Sequence, residues 1–501
     1  MTSNSVAILD FGSQTTQLIA RRCRELKVYS QIFPCNISLE VLKAQNPKAI
    51  ILSGGPASVN TDFSPTLPQG ILELGIPILG ICYGVQILSK TLGGQVTACE
   101  HREFGSAWIE LDQSSRLFDG FEKQQEVWMS HGDQVTQLPT GFKSIASTKT
   151  CKNAAVSFET KQIYGVQFHP EVTHTRLGTQ ILSNFLFKIA KLEPDYELAD
   201  FLKTETARIK TEVGNSQVIM ALSGGVDSSV AAKLIQNAIG DQLISIYVNH
   251  GLHRLGEIEE ISGLNLHIID AQERFFKNLA GITDPEQKRK IIGRTFIEVF
   301  EEEAQKYPDA RFLGQGTLYP DVIESQSASG GPSDVIKSHH NVGGLPEHMN
   351  LKLIEPLRTL FKDEVRELGK LLGLPEKWVQ RQPFPGPGLA IRILGEVRPD
   401  RCKILAQADL IVRQEITGKY WQYFAVLLPV KSVGVMGDAR SYGETICVRC
   451  IESEDGMTAD WAYLPREVLA KISNRIMNEV AGITRVVYDI SSKPPSTIEW
   501  E

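Results

Sequence analysis

The sequence predicts an α/β protein with two doubly wound, mainly parallel-sheet domains followed by a smaller α+β domain. Three observations lead to this reading. From residue 6 to about 190, short apolar runs (Val6 to Leu9, Ala49 to Leu52, Ile76 to Ile81) alternate with helix-patterned stretches such as Gln14 to Leu26. That alternation builds parallel sheets with crossover helices. The pattern restarts after the polar break Leu192-Glu-Pro-Asp195, with a helix-like Ala199 to Thr211 and strand-like Gln217 to Leu222, Leu243 to Val248, Leu266 to Ile269 and Arg311 to Leu313. Finally, Gln382-Pro-Phe-Pro-Gly-Pro-Gly388 carries too much proline and glycine for regular structure. Beyond it, strands (Phe424 to Val433, Thr445 to Cys450, Arg485 to Ile490) mix with helices (Pro399 to Ile416, Pro465 to Val480). Domains are therefore expected over residues 1–192, 193–382 and 383–501.

Composition agrees with this and narrows the function. A chain of 501 residues exceeds one core and suggests about three domains of roughly 100 to 200 residues. Apolar residues at 42% and charged ones at 22% are those of a soluble globular protein. A net charge of −7 leaves no global basic field, so no nucleic-acid partner is expected and small anions need local pockets. Met1 to Ser5 runs into a strand without the basic start and apolar core of a signal peptide, and no window reaches the roughly 18 to 20 apolar residues of a membrane span. A cytoplasmic location and no membrane partner are expected. Cys447-Val-Arg-Cys450 has redox or metal spacing, but in a strand its two thiols face opposite sides, so it reads as structural.

In chain order, the first chemical motif is Cys82. Ile76 to Ile81 reads as a strand and Tyr83 to Leu92 as a helix, which puts Cys82 at a strand-to-helix elbow with Gly80 and Gly84 beside it. A helix N-terminus favours thiolate. Gly165-Val-Gln-Phe-His-Pro-Glu171 supplies His169 at a strand end and Glu171 two residues on, on roughly the same face. The carboxylate can then orient the imidazole while the imidazole activates the thiol.

The second motif is the loop formed by Ser223, Gly224, Gly225, Val226, Asp227, Ser228 and Ser229, set between an apolar strand and a helix-like run. Glycines expose successive N–H groups, serines add hydroxyls and the helix N-terminus adds positive partial charge, which together make an anion cradle. It lacks the lysine of a kinase-type phosphate loop. Further on, Asp321 and Glu324 in Thr317 to Ser325 are acidic candidates for a metal but alone read as a solvated loop. Lys337 to Pro346 and Lys493 to Glu501 look like a lid and a constrained tail, but on composition alone read as a surface loop and a frayed terminus.

These motifs carry resemblances. The Cys82 elbow, the His-Pro-Glu and Leu52-Ser-Gly-Gly-Pro56 resemble the class I glutamine amidotransferases over the first 190 residues or so. That implies attack of Cys82 on the glutamine side-chain amide, release of ammonia, and hydrolysis of a glutamyl thioester. It also implies an oxyanion hole from backbone N–H groups near Gly55 and Tyr83. The 223–229 loop resembles the pyrophosphate loop of the ATP pyrophosphatases, whose members split ATP into AMP and pyrophosphate, and this implies Mg²⁺ placed by Asp227. The physical reading alone leaves the acceptor open between a nucleotide and a carboxylate activated by adenylation. It also leaves room for a non-catalytic nucleotide-binding scaffold, against which the intact Cys82, His169 and Glu171 argue.

The whole order, with Phe384 to Arg392, Gly434-Val-Met-Gly-Asp438 and the tail Lys-Pro-Pro-Ser-Thr-Ile-Glu-Trp-Glu, is similar to the glutamine-hydrolysing GMP synthases over essentially the full chain. The resemblance implies xanthosine 5′-monophosphate (XMP) as acceptor, adenylated on its C2 oxygen by ATP and then aminated at C2. It implies Arg392, Lys493 and Glu499 as acceptor-site residues, Lys337 and His339 as lid residues, and a homodimer joined through the third domain. Asn249, in Tyr247 to Leu252, stands where the resemblance leads one to expect an acidic residue, and no role is assigned there.

Overall fold

A computed structural model describes residues 4–257, 264, 266–327, 351–436, 439–453, 456 and 458–501. The chain divides into two compact units, one reaching to Asp200 and the other starting at Phe201.

In the first unit, β1 (Ser5–Asp10), α1 (Thr16–Glu25), β2 (Tyr29–Pro34), α2 (Leu39–Ala44), β3 (Ala49–Leu52), β4 (Ile78–Ile81) and α3 (Tyr83–Thr91) follow in order. They are followed by β5 (Gln95–Leu111), β6 (Gln124–Gln137), β7 (Lys143–Ser147), β8 (Ala155–Phe158), β9 (Ile163–Val166) and α4 (Gly178–Ser183). The sheet order is β2-β1-β3-β4-β9-β8-β7-β5-β6. The first five strands run parallel. Every residue of β3, β4 and β9 is buried, as strands covered on both faces require. The remaining four strands are antiparallel. The sequence shows only the Ala107–Leu111 end of β5, because the ribbon is half solvated: Phe104 and Trp108 are exposed. Such a strand has no continuous apolar run to announce it.

In the second unit, α5 (Leu198–Val213) leads into β10 (Gln217–Leu222), α6 (Val226–Ile239), β11 (Leu243–Asn249), β12 (Leu266–Asp270), α7 (Gln272–Leu279) and α8 (Pro285–Ala304). Next come β13 (Ala310–Gly314), α9 (Tyr319–Ser327), β14 (Lys352–Ile354), α10 (Lys362–Leu371) and α11 (Glu376–Val379). The order β12-β11-β10-β13-β14 is parallel throughout, with β10 central. After α12 (Pro399–Glu415), the long antiparallel pair β15 (Gln422–Met436) and β16 (Ala439–Glu452) is joined by β17 (Asp460–Trp461), α13 (Arg466–Glu479) and the parallel β18 (Ile483–Tyr488). One apolar cluster runs from Ile219, Ile246 and Leu313 of the first of these sheets to Ala425 and Ile446 of the second and to Leu405 of α12 and Ile476 of α13. No helix among the described residues is long and apolar enough to cross a membrane.

Candidate active site

The first site grows out of the junction between β4 and α3. Cys82 stands alone between them with φ 50° and ψ −104°. A side-chain-bearing residue at positive φ is strained, and such strain is kept where a turn must present a nucleophile. The turn is tight because two side chains are missing. A Cβ on Gly80 would lie 2.6 Å from the Gly84 carbonyl carbon, and one on Gly84 would lie 2.4 Å from the Leu52 oxygen. The two glycines beside Cys82 thus give the elbow its room.

His169 arrives just beyond β9. Its Nδ1 is 2.7 Å from Glu171 Oε1, and Thr15 Oγ1 donates to that same oxygen at 2.6 Å. Thr175 Oγ1 donates to the His169 carbonyl at 2.7 Å. With Nδ1–H committed to Glu171, Nε2 is left to exchange a proton with the thiol. Gly54 shows how closely the groups converge: a Cβ there would stand 3.1 Å from His169 Cε1 and 3.7 Å from Cys82 Cβ. The Cys82 sulfur lies 3.6 Å from the Ser130 carbonyl oxygen and 3.7 Å from Gln167 Nε2. Burial pulls the His169 pKa down, but hydrogen bonds and charge from Cys82 and Glu171 outweigh it and raise it to about 10. An imidazolium beside the sulfur is the partner a thiolate needs.

This gives a first prediction. In Glu171→Gln one of the groups holding the proton on His169 is gone, so His169 titrates at lower pH. If turnover needs the imidazolium as proton donor, the alkaline limb of glutaminase kcat/KM moves to lower pH and kcat drops by about 10²-fold. A pH profile with an unmoved alkaline limb would count against the orienting role.

Two other residues were named for this site. Tyr83 is the first residue of α3, so its N–H has no intrahelical acceptor. Gly55 packs against the Phe11 carbonyl, where a Cβ would come within 2.5 Å. Thr15 was invisible in the sequence because it reaches Glu171 from a distant element, whereas Gln167 lies in the His169 segment itself and was not singled out.

The second site lies at the carboxyl end of β10, at the centre of a parallel sheet, where such folds bind ligands. Ser223 to Gly225 turn the chain, with Gly224 at φ 73°, and α6 begins at Val226. Gly225 N donates to Ser223 Oγ at 3.3 Å, and the hydroxyls of Ser228 and Ser229 donate back to the Gly225 carbonyl at 3.1 and 2.8 Å. The loop therefore holds its own shape. Asp227 sits in the first turn of α6. Burial raises its pKa, Lys362 opposes that and Asp321 adds to it. Its Oδ1 is buried with no hydrogen-bond partner among the described residues, while Oδ2 is 3.9 Å from Lys362 Nζ. The approach is close on the β13 side too, since a Cβ on Gly316 would lie 3.0 Å from the Asp227 carbonyl carbon.

Asp321, in the first turn of α9, accepts from Leu318 N at 3.0 Å. Glu324 lies in the same helix, its side chain outside the described set. Lys337 and His339 lie outside the described residues. Sequence reasoning missed Arg381, which donates to the Gly224 carbonyl and pairs with Glu257. Burial would raise the Glu257 pKa, but hydrogen bonding to His253 and the Arg381 charge lower it to about 2. Asn249 turns the chain after β11, accepting from Gly251 N at 3.2 Å.

The residues named for an acceptor take different partners. Arg392 is fully buried, donating to both Glu499 oxygens at 3.0 and 2.7 Å, and its guanidinium lies 3.9 Å from the Phe424 ring centroid. Lys493 instead donates to the Gly456 carbonyl at 2.8 Å. The tail is tied down by residues the sequence reading did not single out. Buried Arg449 donates to the carbonyls of Ile498 at 2.9 Å and Thr497 at 3.0 Å, and buried Lys288 pairs with Glu501. A charged residue inside the apolar strand Cys447-Val-Arg-Cys450 was the available signal for Arg449. Arg392→Ala removes one partner of a buried ion pair and should cost about 3 kcal/mol, read as a lowered midpoint of chemical unfolding. An unchanged midpoint would show that the pair does not hold the tail.

Known proteins bear on these sites. The family described as Glutamine amidotransferase class-I matches residues 7–189, the NAD synthase family matches residues 196–259, and the GMP synthase C terminal domain matches residues 409–500. A protein of Oleidesulfovibrio alaskensis named GMP synthase [glutamine-hydrolyzing] is 56% identical over 99% of this chain and 99% of its own length. Proteins of the same name from Brachyspira hyodysenteriae (56% identical, 99% of each chain) and Aquifex aeolicus (54%, 100% of each) align likewise.

Proposed function

The chain belongs to the glutamine-hydrolysing GMP synthase family, and from that premise we propose which of its residues aminate XMP to GMP with ATP and glutamine-derived ammonia. The observation that carries the reading is the junction at Cys82, a strained thiol presented beside an imidazole that Glu171 orients. The segments 1–192, 193–382 and 383–501 serve as glutaminase, ATP pyrophosphatase and acceptor-binding domains.

In the glutaminase reaction Cys82 Sγ attacks the glutamine amide carbon, and the N–H groups of Tyr83 and Gly55 receive the developing oxyanion. His169 gives its proton to the departing ammonia and then takes one from water as water opens the glutamyl thioester. Glu171 keeps the imidazole in one tautomer throughout. In the second unit the N–H groups and hydroxyls of residues 223–229 hold ATP phosphates. The XMP C2 oxygen attacks the α-phosphorus, pyrophosphate leaves, ammonia adds at C2 and AMP departs.

Mg²⁺ suits this loop, because a hard cation prefers carboxylate oxygen and Asp227 Oδ1 is a buried carboxylate oxygen without a hydrogen-bond partner among the described residues. Asp227, with Asp321 and Glu324 of α9, would hold it. When bound, Mg²⁺ offsets charge on the leaving pyrophosphate. Arg392, Lys493 and Glu499 are assigned to the acceptor. Because Arg392 is committed to Glu499, it acts by setting the tail rather than by direct contact. Lys337 and His339 are assigned to a lid.

A homodimer through the C-terminal domain is part of the proposal. The β15–β16 ribbon carries exposed Val433, Val435 and Tyr442, and Val433 and Tyr442 are register partners. Such an apolar face suits a second copy of the chain. Val435→Asp should shift the protein from dimer toward monomer in light scattering, and an unchanged mass would exclude this face. A cytoplasmic location goes with the reading, as all eight cysteines are free thiols. The deciding experiment incubates the protein with glutamine, MgATP and XMP. GMP, AMP, pyrophosphate and glutamate are expected, and AMP release without XMP would overturn the assigned acceptor.

A further inference from the structure

Close to the glutaminase elbow, but not part of it, the first unit gathers three different metal-ligand types. Glu103 of β5 and His131 of β6 are cross-strand partners, and Cys151 comes from the turn between β7 and β8. One ligand atom from each lies within 4.8 Å of the others. His131 Nε2 is 3.0 Å from Glu103 Oε2, and His131 Nδ1 is 3.7 Å from Cys99 Sγ. The arrangement is fixed from outside: Thr148 Oγ1 donates to Glu103 Oε1 at 2.8 Å and accepts from Cys151 N at 2.8 Å. His131 and Cys151 are buried, while Glu103 keeps 13% of its side chain exposed, an opening for an ion.

We propose that Glu103, His131 and Cys151 form a binding site for a thiophilic divalent cation of the Zn²⁺ type, and that its occupancy slows the glutaminase reaction. Imidazole, thiolate and carboxylate together are a Zn²⁺ donor set, and three protein ligands leave a fourth position open. The proton balance is simple. Metal binding takes a neutral His131 with Nε2 unprotonated, so its ring proton sits on Nδ1, where Cys99 sulfur accepts it as an outer partner. Any second ring proton and the Cys151 thiol proton are released to solvent as the N–metal and S–metal bonds form. The link to catalysis is short. His131 follows Ser130, whose carbonyl oxygen is the 3.6 Å neighbour of the Cys82 sulfur, so drawing His131 toward a metal shifts a group that touches the nucleophile. Cys82, His169 and Glu171 are themselves a thiol, an imidazole and a carboxylate, so the test removes them from the count.

The test titrates full-length Cys82→Ala protein with Co²⁺. One equivalent should bind with a sulfur-to-cobalt charge-transfer band. Adding Cys151→Ser should abolish the band, and adding Glu103→Gln should weaken binding at least tenfold. No band in Cys82→Ala, or an unchanged band with Cys151→Ser, overturns the site. In the unsubstituted enzyme, one equivalent of Zn²⁺ should slow GMP formation from glutamine and spare formation from ammonium. In Cys151→Ser that slowing should disappear. Slowing that is absent from the unsubstituted enzyme, or equal in both proteins, overturns the regulatory role.

Discussion

Cys82→Ala is expected to reduce glutamine-dependent GMP formation by about 10⁴-fold or more, while formation from added ammonium continues at the unsubstituted rate. Removing the sulfur removes the only atom that attacks the amide in this scheme, and no other member of the triad can replace it. Alanine is smaller than cysteine, so the substitution adds no clash at an elbow already crowded by Gly80 and Gly84. The strained φ of 50° is as tolerable for alanine as for cysteine. The second unit has its own compact core, and in the proposed scheme the ammonium-driven reaction uses only that unit's loop and acceptor residues. Product analysis with the two nitrogen sources decides the matter. Loss of both activities in a folded protein would mean that the two chemistries do not occupy separate sites.

Asp227→Asn should lower AMP and pyrophosphate formation by about 10² to 10³-fold with either nitrogen source. Asparagine keeps the shape of the side chain but not its charge, so metal and phosphate placement are lost while the loop remains. The fold should not suffer. Burial and the nearby Asp321 already disfavour the charged carboxylate, with Lys362 opposing them, and a neutral amide relieves that cost. Steady-state kinetics with ammonium, XMP and MgATP measure the effect, with circular dichroism to confirm folding. If kcat stays within the normal range, Asp227 does not place the reacting groups, and Asp321 becomes the residue to test next.

What was legible in the sequence was mostly local. The two strand-turn-helix junctions, at Cys82 and at Ser223 to Ser229, are built from neighbours in the chain, and glycine at fixed spacing reveals them before any packing is known. His169 and Glu171 lie two residues apart and share a face for the same reason. The antiparallel ribbon of β5 and β6 was only partly legible, because its alternate residues face water. Thr15 could not be read as a partner of Glu171 across 156 positions, nor Arg381 as a partner of Gly224 across 157. The Glu103, His131 and Cys151 group was hidden likewise, since strand register and a turn bring it together.

The acceptor residues show the difference most clearly. The resemblance treats Arg392, Lys493 and Glu499 as one set, whereas the structure spends the Arg392 guanidinium on Glu499 and the Phe424 ring and sends Lys493 to a backbone carbonyl. By itself the sequence determined the α/β class and the strand-turn-helix junctions at which the proposed nucleophile and phosphate-type loop sit, because backbone sterics and periodicity act within a few residues. Only the tertiary structure decided which distant groups orient, neutralise or anchor them. Those roles depend on desolvation and hydrogen-bond distance between elements that the chain order keeps far apart.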